Sequence, residues 1–216
     1  MPAEYYNKIL YPLQDKVIPV FKDTPFYLTG GTTLSRGYYN HRYSDDLDYF
    51  VNDHTDFQGI AEKQIKQLGD VFTEIKVAVK DTNFCRIFVG EEKLKVELIN
   101  DVPSHIGALV NHPVLGLIDS KENILANKIT AVSDRTLPKD IVDVFFLLND
   151  GLSIKKALTD AGSKAAGISP LLIAKIFAEF DYSILDTEVK WVAPVSSESI
   201  KHFLNKLSLA IIEGKI

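Results

Sequence analysis

The feature that most constrains this chain is a single change in hydrophobic period. Up to about residue 98 apolar side chains mostly alternate in short runs, and from about residue 118 they recur at helical spacing. In the first half Val71, Thr73, Ile75, Val77 and Val79 alternate in one run and Phe84 to Val89 form a second. Leu94, Val96 and Leu98 alternate in a third. Asp81-Thr82-Asn83 and Gly90-Glu91-Glu92 supply the turns between them. Two earlier strands are expected, Phe26 to Thr29 and Asp46 to Val51, with a short helix over Thr32 to Tyr39 between them. Thr55 to Leu68 carries Phe57, Ile60, Ala61, Ile65 and Leu68 on one stripe, and Thr55 and Gln58 stand at capping-box spacing. Tyr6, Ile9, Leu10, Leu13, Val17 and Phe21 open the chain at helical spacing, and Pro12 is expected to kink or divide that helix.

In the second half helices are expected over 119–134, 138–149, 153–161, 169–180 and 196–213, after a Pro- and Gly-containing loop from Asp101 to Gly116. The pattern predicts an α+β fold. A mixed sheet flanked by helices would occupy residues 1–115, and a helical bundle, completing the active-site cleft, residues 116–216. A chain of 216 residues with 46% hydrophobic content can bury a sizeable core. The net charge of −5 argues against broad, non-specific affinity for nucleic acid. No apolar run reaches the roughly 18 residues of a membrane span, and MPAEYYNK lacks the features of a secretory signal, so a soluble cytoplasmic protein is expected. The single cysteine, Cys85, excludes an internal disulfide framework and is expected in the core. His41, His54, His105, His112 and His202 show no ligand spacing and are expected in loops or at the surface.

Chemistry concentrates at the second strand. Side chains two apart in a strand share a face, so Asp46 and Asp48 present two carboxylates side by side. Such a pair repels itself unless a cation intervenes, and hard oxygen ligands suit Mg²⁺, which completes its shell with water and phosphate oxygens. A solvated turn entering a strand is the plainer account of the acids, and Asp45 fits it. Upstream, Gly30-Gly31 follows a strand and precedes a helix, so backbone without Cβ can approach a phosphate at a helix N-terminus. Thr32 and Thr33 can cap that helix or donate hydroxyls to phosphate.

Residues 26–50, FYLTGGTTLSRGYYNHRYSDDLDYF, resemble the first motif of the AbiEii/AbiGii toxin group of nucleotidyltransferases, which share their fold with DNA polymerase beta. The matching positions are Gly30, Gly31, Thr32, Leu34, Arg42, Ser44, Asp46, Leu47, Asp48 and Tyr49. NKITAVSDRTLPKDIVDVFFLL resembles the second motif through Lys128, Ala131, Arg135, Lys139, Asp140 and Asp143. The residues support this independently. Lys128 and Arg135 fall on the apolar face that Ile124, Leu125, Ile129 and Val132 define, where a cation must either snorkel to water or meet an anion. Asp140 can be a solvated first-turn acid, whereas Asp143 lies among apolar neighbours and needs a partner such as Arg135 or Lys139.

The resemblance implies a Mg²⁺-dependent transfer of a nucleotide from a nucleoside triphosphate. The acceptor is not implied; RNA, including a transfer RNA end, and protein both remain open. Asp46 and Asp48 would hold the metal. Glu97 is the candidate third carboxylate, with an exposed Lys95-Glu97 face as the alternative. Gly30, Gly31 and Thr32, with Arg42, Ser44 and Arg135, would grip the triphosphate, Lys128 would contact a phosphate, and Asp140 or Asp143 would orient Lys128 or Arg135. A toxin-antitoxin pair, and so an antitoxin partner, is a further implication. A phosphotransferase on the same metal site and a non-catalytic nucleotide-binding protein are the alternatives.

Overall fold

The computed structural model describes residues 2–216. The chain forms two compact units, one ending at Asp119 and one beginning at Ser120.

The first unit opens with a helical segment made of α1 (Pro2–Tyr5), a π-helical turn (Tyr6–Leu10), α2 (Tyr11–Val17) and a 3-10 turn (Ile18–Phe21). Its path runs through Pro12 instead of ending there. Pro12 stands in the first turn of α2, where a missing N–H is tolerated, and the turn before it is wound wide, with the Tyr11 N–H bonded back to the Tyr6 carbonyl. Next come β1 (Tyr27–Thr29), α3 (Gly30–Thr32) continuing as a π-helical stretch to Tyr39, β2 (Leu47–Asn52) and α4 (Phe57–Val71). The strands β3 (Ile75–Asp81), β4 (Phe84–Val89), β5 (Leu94–Asp101), β6 (Val110–His112) and β7 (Gly116–Ile118) follow.

The seven strands form one mixed sheet in the order β3-β4-β5-β2-β1-β7-β6. The β2/β5 and β1/β7 pairs are parallel and the rest antiparallel. Leu47, Tyr49 and Val51 of β2, Cys85, Ile87 and Val89 of β4, and Leu94, Val96 and Leu98 of β5 are all buried, in a core with Tyr6, Leu10, Val17, Phe57, Ala61 and Leu68. Truncating one of these, such as Leu47→Ala, would cost about 2–5 kcal/mol. The same alternation sends Asp48, Arg86, Lys95 and Glu97, all only partly buried, to the other face of the sheet.

Several details depart from the sequence pattern. Thr55 and Gln58 form no capping box: the residue before α4 is Asp56, without a side-chain cap, and the Gln58 amide donates to the Asp81 and Thr82 carbonyls. α4 runs on through Val71, so β3 begins only at Ile75. The register of β3 against β4 shifts at a bulge between Val77 and Val79. The stretch expected to be loop from Asp101 to Gly116 contains β6 and the turn into β7. Pairing of β7 with β1 keeps both short strands in the first unit, so a division at 115/116 falls inside a hairpin.

The second unit consists of α5 (Lys121–Arg135), α6 (Pro138–Asn149), α7 (Ile154–Lys164), α8 (Pro170–Glu179), α9 (Leu185–Glu188) and α10 (Ser197–Ile212). Ser120, Ser153 and Ser196 cap three of them by accepting from a backbone N–H three residues on. The short turn around Tyr182 and α9 carry no sequence periodicity. They are fixed from outside, by a Trp191 Nε1–H bond to the Leu185 carbonyl at 3.0 Å and a Tyr182 hydroxyl bond to the Phe177 carbonyl at 2.7 Å. Among the described residues no helix is long and apolar enough to cross a membrane.

Candidate active site

The β1/β2 register sets the geometry, since Thr29 lies opposite Asp48 and the chain turns at Gly30 immediately afterwards. Gly30 has φ +70°, a left-handed conformation that favours glycine, and a Cβ built there would lie 2.7 Å from Asp48 Oδ2. A Cβ on Gly31 would lie 2.6 Å from the Arg42 NH2 and 2.9 Å from the Ser44 Oγ. Both glycines are thus needed for backbone to pass against the site residues. Arg42 and Ser44 are buried behind the turn, where Arg42 NH1 donates to the Tyr43 carbonyl at 2.9 Å and the Ser44 carbonyl accepts from Gln14 at 3.2 Å. Thr32 uses its hydroxyl internally, donating to the Asp46 carbonyl and tying the glycine turn to the acids. Its neighbour Thr33 has a fully buried hydroxyl without a hydrogen-bond partner. Asp45 accepts a hydrogen bond from the Tyr6 hydroxyl.

A chain of charge crosses three strands beside this turn. Lys95 Nζ lies 3.1 Å from Asp46 Oδ2 and 3.1 Å from Glu97 Oε2, and Arg86 NH2 and Nε each lie 2.6 Å from Glu97 Oε1. The register explains the alignment, because Glu97 pairs with Asp48 on one side and with Arg86 on the other. Partial burial raises the Glu97 pKa, but Arg86 and Lys95 outweigh it and hold the carboxyl below its ordinary value. Partial burial likewise lowers the Lys95 pKa, and Asp46 and Glu97 outweigh it, keeping the ammonium above its ordinary value. As a test of metal fit, Asp46 and Asp48 offer hard oxygens beside a glycine turn, and the Lys95 ammonium against Asp46 shows that the position attracts a cation. Asp46, Asp48 and Glu97 do not form a ready three-carboxylate cage: no group of three acid, histidine or cysteine side chains suited to a metal occurs among the described residues.

The sequence reading missed a third cluster. The Asp119 carboxylate is fully buried and accepts from the Thr29 hydroxyl at 2.5 Å and contacts His105 Nε2 at 3.0 Å, while its backbone carbonyl accepts from the Tyr38 hydroxyl at 2.7 Å. It braces β1 immediately before Gly30. The available signal was an acid between the apolar β7 and the N-cap Ser120, where a solvated role is not open to it. His41 and His105 both lie in loops, as expected, but not in solvent: His105 joins this cluster, and His41 is buried, with its ring edge-on to Tyr39 at 5.9 Å.

In the second unit, Lys128 Nζ lies 2.7 Å from Asp140 Oδ1 and 2.6 Å from Asp143 Oδ2, with both carboxylates fully buried. Arg135 Nε adds a 3.1 Å contact to Asp140 Oδ2. Of the two accounts open for Lys128, meeting an anion is the one realised, and the anions are its own chain's. Asp140 is not solvated, and Asp143 takes Lys128 in place of Arg135 or the exposed Lys139. Burial raises the Asp140 pKa, but Lys128 and then Arg135 outweigh it, so the carboxyl stays below its ordinary value.

A seven-stranded mixed sheet with a glycine turn beside Asp48, and a helical unit carrying a buried lysine-aspartate cluster, form the arrangement expected of the nucleotidyltransferase class that the motifs resemble. The family model described as "Nucleotidyl transferase AbiEii toxin, Type IV TA system" matches residues 13–210, and the chain belongs to that family. Its fold is similar to that of JHP933 from Helicobacter pylori, with a TM-score of 0.65 at 19% identity, covering 95% of this chain and 91% of that one. It is also similar to MenT4, a nucleotidyltransferase toxin from Mycobacterium tuberculosis, with a TM-score of 0.62 at 17% identity and coverage of 95% and 83%. A shorter match, TM-score 0.53 at 14% identity with coverage of 70% and 89%, is to the antibiotic-resistance factor ANT(2'')-Ia. No curated protein matches the chain in sequence.

Proposed function

We propose that the protein transfers a nucleoside monophosphate from a Mg²⁺-bound nucleoside triphosphate to a hydroxyl of an RNA end or a protein. The observation that carries this reading is the approach of the Gly30 backbone to Asp48, with Asp46 tied to the same turn through Thr32. A triphosphate lying along Gly30 and Gly31 would meet both carboxylates. Asp46 and Asp48 would hold Mg²⁺, which neutralises charge on the phosphate oxygens during displacement. The acceptor oxygen forms a bond to the α-phosphorus as its O–H bond breaks and the proton passes to solvent, the bond from the α-phosphorus to the bridging oxygen breaks, and pyrophosphate leaves. Arg42 and Ser44 support the turn from behind. In the second unit Lys128 is held by Asp140 and Asp143, Arg135 supports Asp140, and a part for this cluster in transfer is what the motif resemblance implies. Membership in a toxin family of type IV systems makes an antitoxin the expected regulatory partner.

The test is incubation with Mg²⁺, cell extract and each nucleoside triphosphate labelled separately at the α- and γ-phosphate. Transfer of α-label to RNA or protein with release of pyrophosphate supports the reading. Transfer of γ-label would make the protein a phosphotransferase, and transfer of neither would remove catalysis from it.

A further inference from the structure

The charge chain on the face of the sheet that carries Asp48 and Glu97 has an arrangement that a plain two-acid metal site does not need. One ammonium, Lys95, is shared evenly by Asp46 and Glu97 at 3.1 Å each, and Glu97 is further held at its other oxygen by both Arg86 nitrogens at 2.6 Å. Binding a divalent ion through Glu97 would require loosening two cations at once. Binding it through Asp46 requires moving only Lys95. The Lys95 side chain is 27% exposed and that of Glu97 13%, so an ammonium pushed off Asp46 loses an ion pair in a partly desolvated place and needs another anion to replace it. A triphosphate bound to the same metal would supply that anion.

We propose that Lys95 is the resident cation of the acid pair, that Glu97 and Arg86 anchor it there, and that it makes divalent-metal binding at Asp46 conditional on the triphosphate. This rests on the reading of Asp46 and Asp48 as the metal carboxylates. Without nucleotide, the ammonium and the divalent ion compete for Asp46, and free metal binds weakly. With nucleotide, the phosphate oxygens take over the ammonium, and metal and triphosphate bind as a coupled pair. By linkage the coupling is reciprocal: whatever Lys95 adds to metal binding in the presence of nucleotide, it adds to nucleotide binding in the presence of metal. Glu97 is then a positioning residue and not a third ligand.

The experiment is calorimetric titration with Mn²⁺, alone and with a non-hydrolysable α,β-methylene triphosphate, on wild type, Lys95→Met, Lys95→Gln, Glu97→Gln and Asp46→Asn, each first shown to be folded by its thermal melt. Lys95→Met, with Lys95→Gln as the second variant should the first not fold, is expected to bind free Mn²⁺ on the order of ten-fold more tightly than wild type, as expected when a competing cation is removed. The enhancement that nucleotide gives to metal binding should shrink by a similar factor. Glu97→Gln should retain Mn²⁺ affinity within about three-fold. Unchanged free-metal affinity in both Lys95 variants, or loss of Mn²⁺ binding in Glu97→Gln, would overturn the proposal. Wild type and Asp46→Asn binding Mn²⁺ and nucleotide equally would show a different failure, that of the metal-site reading itself, and the role of Lys95 would fall with it.

Discussion

Lys128 Nζ sits 2.6 Å from Asp143 Oδ2 inside a helical unit where both acids facing it are fully buried. The lysine is therefore part of the fold as well as of the proposed chemistry, and a variant must be read on both scales. Lys128→Met should cost about 3–5 kcal/mol of stability, because it leaves Asp140 and Asp143 buried without their shared cation. Adding Asp143→Asn to Lys128→Met should restore part of the melting temperature while nucleotide transfer stays down by on the order of ten- to a thousand-fold. Recovery of transfer together with stability would make the lysine structural only.

Asp140 sets an acid limit. Its folded pKa lies below its ordinary value, so its pairing stabilises the protein fully above the unfolded carboxyl pKa, near 3.9, and that stability is lost as pH falls through the lower folded value. Thermal melts from pH 6 down to about pH 3 should show a steeper acid loss for wild type than for Asp140→Asn. Equal slopes would mean that the pairing contributes nothing through protonation.

Gly31→Val should leave a folded protein with weakened triphosphate binding. Its Cβ would meet the Arg42 NH2 at 2.6 Å and the Ser44 Oγ at 2.9 Å, both side-chain atoms, so the local response is a displaced Arg42 and an obstructed turn. Gly30→Ala should be the harsher change, combining a φ of +70° that disfavours alanine by about 1–2 kcal/mol with a clash against Asp48. Calorimetry with a non-hydrolysable triphosphate checks both, and wild-type affinity in a folded Gly31→Val protein would exclude the cradle.

Asp46→Asn and Asp48→Asn should each nearly abolish transfer, and the double variant should be little worse than either, since the two act as a unit. Stability should barely move. The Asp46 pair with Lys95 is partly exposed, and such pairs are worth roughly 0–1 kcal/mol. Folded variants with intact transfer would remove the metal site, and variants that unfold would make the acids structural.

β2, β4 and β5 were legible because each buries one face, so Leu47, Tyr49 and Val51 or Leu94, Val96 and Leu98 declare a period of two. Helix α6 was legible to the residue because Pro138 starts it and apolar residues fill it. β6 and β7 were not, since three residues are too few to show a period and their pairing depends on β1, some ninety positions away in sequence. Asp46 and Asp48 stood out as candidates from the D-x-D spacing, and Lys128 from its apolar surroundings. The pairing of Lys128 with Asp140 or Asp143 was among the expectations, whereas Lys95–Asp46 and Thr29–Asp119 were not, because those contacts are made by tertiary packing and leave no local trace.

One edge strand of the sheet, β3, leaves Val77 and Val79 exposed, and an edge of this kind is open to addition of a strand from another molecule. The bulge between those two residues breaks the regular ladder that such an addition needs, and Lys76 and Lys80 flank it with charge. Growth of fibres by edge-to-edge stacking is thereby disfavoured. Straightening β3 by deleting Ala78 would remove that protection, and the expected casualty is colloidal behaviour at high concentration, with turnover by the individual molecule left much as it was.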